Sequence, residues 1–521
     1  MKNGPVALAP LRDAEVFIGL VGPVGTDWQT ATSCIEQSLA VFDYTTKHVR
    51  LSDIIRMYGR GVNLPAGRAS EDARLERYMR AGDRLRRTAS DSSILAQLSI
   101  RLIEEHRFSE NRHVRPRAWR YFKPLSRGAY VLNSLKHPDE IDFLRRVYGD
   151  LFFVVSLYSP RDSRVNRLAK IIAQSKQITD PSSCRADAER LIEMDASAGD
   201  NEYGQSVRNA FPKADVFVEV SDAASTYRQL NRFFEVIFGH PFHTPTRSEY
   251  AMFLARGAAL RSADLARQVG AVVMNDMGEL IGAGCNDVPM AGGGVVWVDD
   301  PLGADLRDYR IGYDSNAMKK HEILEEIFSA LKEEKWLTTN IRARGVQRLA
   351  HAALHGPSRR GRSVGMLEGT RVDNVIEYGR IVHAEMNALM EALRKGISVR
   401  NTDLYCTTFP CHMCARHIIS AGIRRVVYIE PYPKSLVGEL YGREVAIEPT
   451  FEDASVVQFV PFIGIAPRRY EQLFSLPRRK DSLGRAVRWE PRTGQLRSTP
   501  VSWSYIDNEA EVIYHALRII S

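Results

Sequence analysis

No apolar stretch of this 521-residue chain approaches the roughly 18–20 residues that a membrane span requires. The strongest run, Leu151 to Leu157, has the length of a buried strand. The amino terminus, MKNGPVALAPLRDAE, carries no signal-peptide apolar core. Cysteine is scarce. Of Cys34, Cys184, Cys285, Cys406, Cys411 and Cys414, only the last two have motif spacing. That argues against a disulfide framework and for a reducing cytoplasm. Tandem repeats and low-complexity tracts are absent. The charge excess is small, with 71 Lys plus Arg against 63 Asp plus Glu and a net charge of +8. Such a balance suits phosphorylated small molecules and nucleic acid alike and chooses neither. What the chain does have is length for about two to four domains and, at 44% hydrophobic residues, enough apolar content for ordinary cores.

The decisive motif is His383-Ala-Glu385 followed by Pro410-Cys411-His412-Met413-Cys414. A catalytic Zn²⁺ usually takes three protein ligands and leaves one position for water. His383, Cys411 and Cys414 supply those three. Cys-x-x-Cys fits the first turn of a helix, and Pro410 fits a helix start, where its missing N–H costs nothing. Free N–H groups there favour thiolates. Glu385 is too near His383 in sequence for a convenient fourth ligand but well placed to carry protons for the bound water. Cys-x-x-Cys alone is more often a structural zinc knuckle or a redox pair, and His-x-Glu alone says little. The ordered combination is the signature of zinc deaminases acting on nucleobases.

Three regions follow from the pattern of strands, helices and turns. The first, about 14–238, alternates short apolar strands (Val16–Val21, Ala129–Leu132, Leu151–Leu157, Asp215–Val220) with helical stretches, which predicts a parallel α/β sheet. Residues 239–246 read as a linker. The second region, about 245–470, predicts a helix over Ser248–Arg267, strands at Gly270–Asn275 and Leu280–Gly284, a helix opening at His383, a strand at Asp403–Thr407 leading into the Pro410 helix, and a strand at Arg425–Ile429. An insert at about 290–375 holds a charged helical stretch near His321–Glu334 and a basic loop, Ser358-Arg359-Arg360-Gly361-Arg362. It is too long to be structureless. The third region, 471–521, reads as an arginine-rich C-terminal extension ending in an amphipathic segment.

The turn Gly22-Pro23-Val24-Gly25-Thr26-Asp27 after the first strand invites comparison with a phosphate-binding P-loop. Aligned on Gly25, it puts Thr26 where the lysine belongs and Asp27 where the Ser/Thr belongs. Backbone amides at Gly22, Val24, Gly25 and Thr26 can still cradle a phosphate at a helix start. Arg74, Arg77, Arg80, Arg84, Arg86, Arg87, Lys136, Arg161, Arg164 and Arg167 are candidates for the lost positive charge. The plain alternative is a tight strand–helix turn beside solvated charged helices. Without the lysine, phosphoryl transfer is disfavoured.

With the zinc residues placed, the second region resembles the deoxycytidylate deaminase family. The resemblance rests on Arg261 to Ala271, on Gly284-Cys285-Asn286-Asp287-Val288-Pro289, on His383 to Ala388, on Thr407 to Ala415 and on Ala421 to Tyr428. It implies a cytidine-deaminase-like α/β/α sandwich with Asn286 at the substrate's sugar and Thr408 to Pro410 along the base pocket. Asp287 stands where that family has glycine, and the insert is longer than in short members. Through segments such as Leu135-Lys136-His137-Pro138-Asp139-Glu140, Tyr203-Gly204-Gln205 and Asp215-Val216-Phe217, the whole chain, with a nucleoside-phosphate-kinase-like, P-loop-like parallel α/β domain in front, resembles bacterial anti-phage dCTP deaminases. That resemblance implies deamination of free deoxycytidine nucleotides (dCTP, with dCMP open) and depletion of the dCTP pool in defence against phage. It also implies a front domain that senses a regulatory nucleotide or RNA, and a homo-oligomer. Competing readings are a nucleic-acid cytosine or adenine deaminase and a non-catalytic nucleotide- or RNA-binding sensor. Against the first, Phe409 stands where tRNA adenosine deaminases carry Glu, and the inserts show few clustered aromatics for a strand-binding groove.

Overall fold

The computed structural model describes residues 13–59, 70–111, 123–196, 203–301, 305–356, 358–359, 362–363, 365–432, 434–449, 451, 453–475, 479–497 and 505–520. The start of the chain through residue 12, together with Arg360 and Gly361 of the basic loop, lies outside them. Two compact units emerge. One comprises 1–253, 448–451 and 461–521, the other 254–447 and 452–460. Among the described residues no helix is long and apolar enough to cross a membrane.

In chain order the first unit begins with β1 (Val16–Val21), α1 (Trp28–Ala40), β2 (Thr45–Arg50), α2 (Leu51–Tyr58), α3 (Glu71–Ala89), α4 (Ile94–Glu110) and β3 (Gly128–Leu135). It continues with α5 (Pro138–Tyr148), β4 (Phe152–Tyr158), α6 (Arg161–Lys176), α7 (Arg185–Ala196), β5 (Val216–Glu219) and α8 (Ala223–Ile237). The strands pair parallel in the order β5-β4-β1-β3-β2. β1 is buried along its whole length, as are all but the last residue of β4. This explains their continuous apolar runs, since a parallel sheet covered by helices on both faces has no polar side. β1 lies between β3 and β4, so the chain reverses its direction of travel across the sheet there. Ligands of open α/β sheets bind beyond the strand ends at such a point.

The second unit begins within α9 (Arg247–Ala259), at Leu254, and continues with β6 (Gly270–Met274), β7 (Leu280–Cys285), α10 (Ser315–Glu333), α11 (Val346–Leu354), α12 (Ala384–Arg394), β8 (Asp403–Thr408), α13 (His412–Ser420), β9 (Arg425–Glu430), β10 (Val445–Ile447) and β11 (Val457–Pro461). Its mixed sheet runs β10-β11-β9-β8-β6-β7, with β6 antiparallel to both neighbours and β8 parallel to β9. The predicted helix over 248–267 ends at Ala259 instead. Beyond it, Ser262 Oγ accepts the Asp264 N–H and the Asp264 carboxylate accepts the Ala266 N–H. These local side-chain bonds compete successfully with the helix. The insert carries α10 and α11 around a small core of Leu324, Ala350 and Ala353, and residues 358–359 pair with 362–363.

The chain then returns to the first unit through β12 (Gly464–Ile465), which joins the free edge of β5 antiparallel, and ends in α14 (Tyr505–Ile520). The extension expected over 471–521 groups, with 461–470, in the first unit. Buried polar groups hold it there. Arg469 donates to Asp215 at 3.1 Å and to the Phe152 carbonyl at 3.1 Å, and Glu509 of α14 meets Arg107 of α4 with both side chains fully buried.

Candidate metal centre

Helix α12 is seated by the absence of side chains beneath it. A Cβ on Gly284 would lie 2.3 Å from the Ala384 carbonyl oxygen, and one on Gly282 would lie 2.3 Å from that of Ala388. Glycines on β7 facing Ala384, Ala388 and Ala392 on α12 let helix and strand approach to backbone distance. The residue before the helix is fixed as well. Asp287 and Val382 exchange both backbone hydrogen bonds, at 3.0 and 3.3 Å. His383 is therefore the N-cap of α12, and Glu385 is in its first turn.

Helix α13 follows β8 through a short buried link. The Phe409 N–H donates to the Glu430 carbonyl at 2.7 Å, and Ser435 Oγ donates to the Pro410 carbonyl at 2.8 Å. Cys411, not Pro410, is the N-cap, so Pro410 precedes the helix and Cys414 sits one turn in. Both thiols and Glu385 are buried.

These two helix starts bring the three expected ligands together. His383 Nδ1 is 3.2 Å from Cys411 Sγ and 3.4 Å from Cys414 Sγ, and all three ligand atoms lie within 4.8 Å of one another. Around a tetrahedral zinc with Zn–S near 2.3 Å and Zn–N near 2.0 Å, nitrogen and sulfur would be about 3.5 Å apart. The spacing fits. So does the chemistry of the donor set. The Cys411 thiol is pushed down to about 4, first by its hydrogen bond with Cys414 and further by His383. His383 is pushed up to about 9, chiefly by its hydrogen bond with Cys411. Cys411 and His383 thus favour a thiolate against a cation, while the Cys414 thiol is pushed up by its hydrogen bond with Cys411 and by burial. Glu385 is pushed up to about 7, mainly by burial, and its carboxyl is within hydrogen-bonding reach of Cys414. A buried carboxyl thus sits beside the ligand set.

Residues 245–430 match the cytidine and deoxycytidylate deaminase zinc-binding region. The site is a zinc-binding deaminase domain's, with His383, Cys411 and Cys414 as candidate ligands. The deoxycytidylate deaminase of Enterobacteria phage T4 is 42% identical over 57 residues, which is 11% of this chain and 30% of the relative. The human deoxycytidylate deaminase is 38% identical over 53 residues, 10% of this chain and 29% of the relative. The aligned part therefore spans less than a third of these relatives' length. The structure of the cyanophage S-TIM5 dCMP deaminase in complex with dCMP and dUMP aligns over 42% of this chain and all of its own, at 16% identity and a TM-score of 0.23.

Around the metal centre the remaining expected residues fall differently. Thr408 ends β8, buried, beside Pro410. Asn286 is also buried, but its amide is already committed. Nδ2 donates to the Asp264 carboxylate and to the Arg267 carbonyl, and Oδ1 accepts the Val269 N–H at 2.7 Å. These bonds make Asn286 a clamp on the 264–269 loop. The Asp264 carboxylate adds to the charges that raise His383. Sequence reasoning gave Asp264 no role. Its signal was the Ser262-x-Asp264 turn pattern, hidden inside an apparently helical stretch.

In the turn expected to cradle a phosphate, Gly22, Val24, Gly25 and Thr26, two of the four amides are engaged within the fold. The Val24 N–H donates to Asp195 Oδ2 at 2.6 Å, Thr26 N donates back to the Pro23 carbonyl, and Asp27 caps α1 through the Thr30 N–H. Gly25 has φ +87°, and a Cβ there would lie 2.7 Å from the Arg164 carbonyl oxygen. The glycine thus serves a packed turn. Of the candidate cations, Arg86 is buried against Glu140 and Lys136 is paired with Asp195.

Proposed function

We propose that this chain deaminates free deoxycytidine nucleotides, converting dCTP to dUTP, and dCMP to dUMP, with release of ammonia. The observation that carries the reading is the convergence of His383, Cys411 and Cys414 within 4.8 Å, with buried Glu385 beside Cys414. Held by these three residues, Zn²⁺ would supply an activated water as nucleophile, with a pKa near 7. Glu385 would take one proton of that water and deliver it to N3 of the cytosine ring as C4 is attacked, then take the remaining proton from the C4 hydroxyl and pass it to the departing amine, leaving the C4 carbonyl and ammonia. The backbone from Thr408 to Pro410 lines the base pocket, and the buried walls of the site exclude bulk water from the proton transfers. Depletion of the dCTP pool in defence against phage is the role that the resemblance to anti-phage dCTP deaminases supports.

Ammonia release by the purified protein from dCTP, dCMP, CTP, CMP and a single-stranded deoxyoligonucleotide tests the reading. dCTP is the expected substrate. Glu385→Gln is expected to retain zinc and lose activity by about 10²–10⁴-fold, the usual contribution of a proton carrier. Faster deamination of the oligonucleotide, or an active Glu385→Gln protein, would overturn it.

A further inference from the structure

Beyond the carboxyl ends of β1, β2 and β3, at the switch point of the first unit, lies a cavity of about 560 Å³. Its size is that of a small-molecule site. Trp28, Tyr78, Arg50, Lys136, Asp195 and Gln205 give it its chemistry, among apolar walls that include Val24, Ile55 and Met79.

Three observations define what it would accept. First, the anion seat of the glycine turn is already filled from within. Asp195, fully buried, takes the Val24 N–H on Oδ2 at 2.6 Å, and Lys136 Nζ reaches its Oδ1 at 2.9 Å while also donating to the Gly22 carbonyl at 2.9 Å. A carboxylate stands where a P-loop would hold a phosphate, so a polyphosphate chain meets like charge there. Second, Gln205 is only 7% exposed and its Oε1 has no hydrogen-bond partner. An unpaired buried acceptor is costly, and an N–H on a ligand would satisfy it. Third, most of the positive charge lining the cavity is spent. Arg86 is paired with Glu140 and Asp83, Arg74 with Glu71, and Lys136 with Asp195. Arg50 has no ion pair among the described residues and is exposed at the mouth.

We propose that this cavity is a binding site for a nucleoside monophosphate. Its base lies between the aromatic and apolar walls with an N–H donated to Gln205, and its one phosphate pairs with Arg50, outside the glycine turn. The site binds without transferring phosphate, because Asp195 holds the position that a donor's phosphates would need.

Calorimetric titration of the full-length, zinc-loaded protein tests this. AMP, GMP, CMP and UMP, the matching nucleosides and triphosphates, and inorganic phosphate are the probes, and hydrogen exchange over residues 22–28 and 203–210 locates the site. At least one monophosphate should bind with protection of those segments, more tightly than its triphosphate. Gln205→Met should weaken it about ten-fold or more. Arg50→Ala, at an exposed position that folding tolerates, should reduce the monophosphate to the affinity of its nucleoside while leaving the nucleoside unchanged. Asp195→Asn should narrow the gap between triphosphate and monophosphate. No monophosphate binding at millimolar concentration, protection confined to the zinc domain, a wild-type preference for triphosphate, or equal losses of nucleoside and monophosphate in Arg50→Ala would each overturn the assignment.

Discussion

Two carboxylates share one guanidinium in the interior of the first unit, and Glu509→Gln should expose the consequence. Arg107, Glu15 and Glu509 are all fully buried. Glu15 accepts two bonds from Arg107, at 3.0 and 2.7 Å, one from the Leu125 N–H at 2.8 Å and one from the Tyr505 hydroxyl at 3.0 Å. It is the better stabilised anion. Glu509 has Arg107 as well, but a second negative charge is uncompensated in a dry site, and burial pushes its pKa from the ordinary 4.5 up to about 7. The folded protein therefore holds a proton that the unfolded chain has already lost. Stability from this group is complete below about pH 4.5 and declines as pH rises towards 7, by an upper bound of about 3 kcal/mol. Glutamine keeps the shape and the acceptor oxygen but has no proton to lose. Glu509→Gln is expected to cost no more than about 1 kcal/mol at pH 5 and to equal or exceed the wild type at pH 7.5. The readout is hydrogen exchange of α4 and α14 between pH 5 and 7.5, corrected for intrinsic exchange chemistry. Arg107→Met, which strands both carboxylates, should instead cost about 3–5 kcal/mol. A variant with the wild-type pH slope, or one that loses several kcal/mol at pH 7.5, would show that Glu509 is ionised and that the charge argument is wrong.

Two further changes bear on the metal centre. Gly284→Val should lower zinc content measured by elemental analysis, because its Cβ would lie 2.3 Å from the Ala384 carbonyl oxygen and the helix carrying His383 must move; overpacking of this kind costs about 1–3 kcal/mol. Asn286→Ala should lower the thermal stability of the second unit by the equivalent of about 1–3 kcal/mol, since the Val269 N–H loses its partner; an unchanged melting temperature would refute the clamp.

What was legible in the sequence was local. The zinc ligands announce themselves through spacing, and the apolar runs at Val16–Val21 and Phe152–Leu157 mark buried parallel strands. β2 was missed because Thr45 to Arg50 is a polar strand at the sheet's end, with only Val49 buried, and apolar periodicity is silent at such an edge. The helix expected to reach Arg267 was overextended because Ser262 and Asp264 act through turn hydrogen bonds that no hydrophobic pattern reports. Asp195 and Lys136 are 59 residues apart, and Arg107 and Glu509 are 402 apart. Nothing in local composition pairs such groups. The glycine turn looked like a phosphate cradle because the sequence displays its amides and hides the carboxylate that takes one of them.

The metal centre divides its tolerances accordingly. His383 and Glu385 belong to one helix start, so their separation is set by two residues of chain and survives movement of the helix as a body. Cys411 and Cys414 belong to another, and the distance between the pairs depends on packing: β7 against α12, the Asp287–Val382 bridge, and the link from Phe409 to Glu430. Ligand geometry at a metal must hold within a few tenths of an ångström. Disturbed packing should therefore release the metal before it disables the proton carrier, and added zinc should restore activity to packing variants such as Gly284→Val but not to Glu385→Gln. Equal failure of zinc rescue in both would mean that the helices do not move as separate bodies and that the division is false.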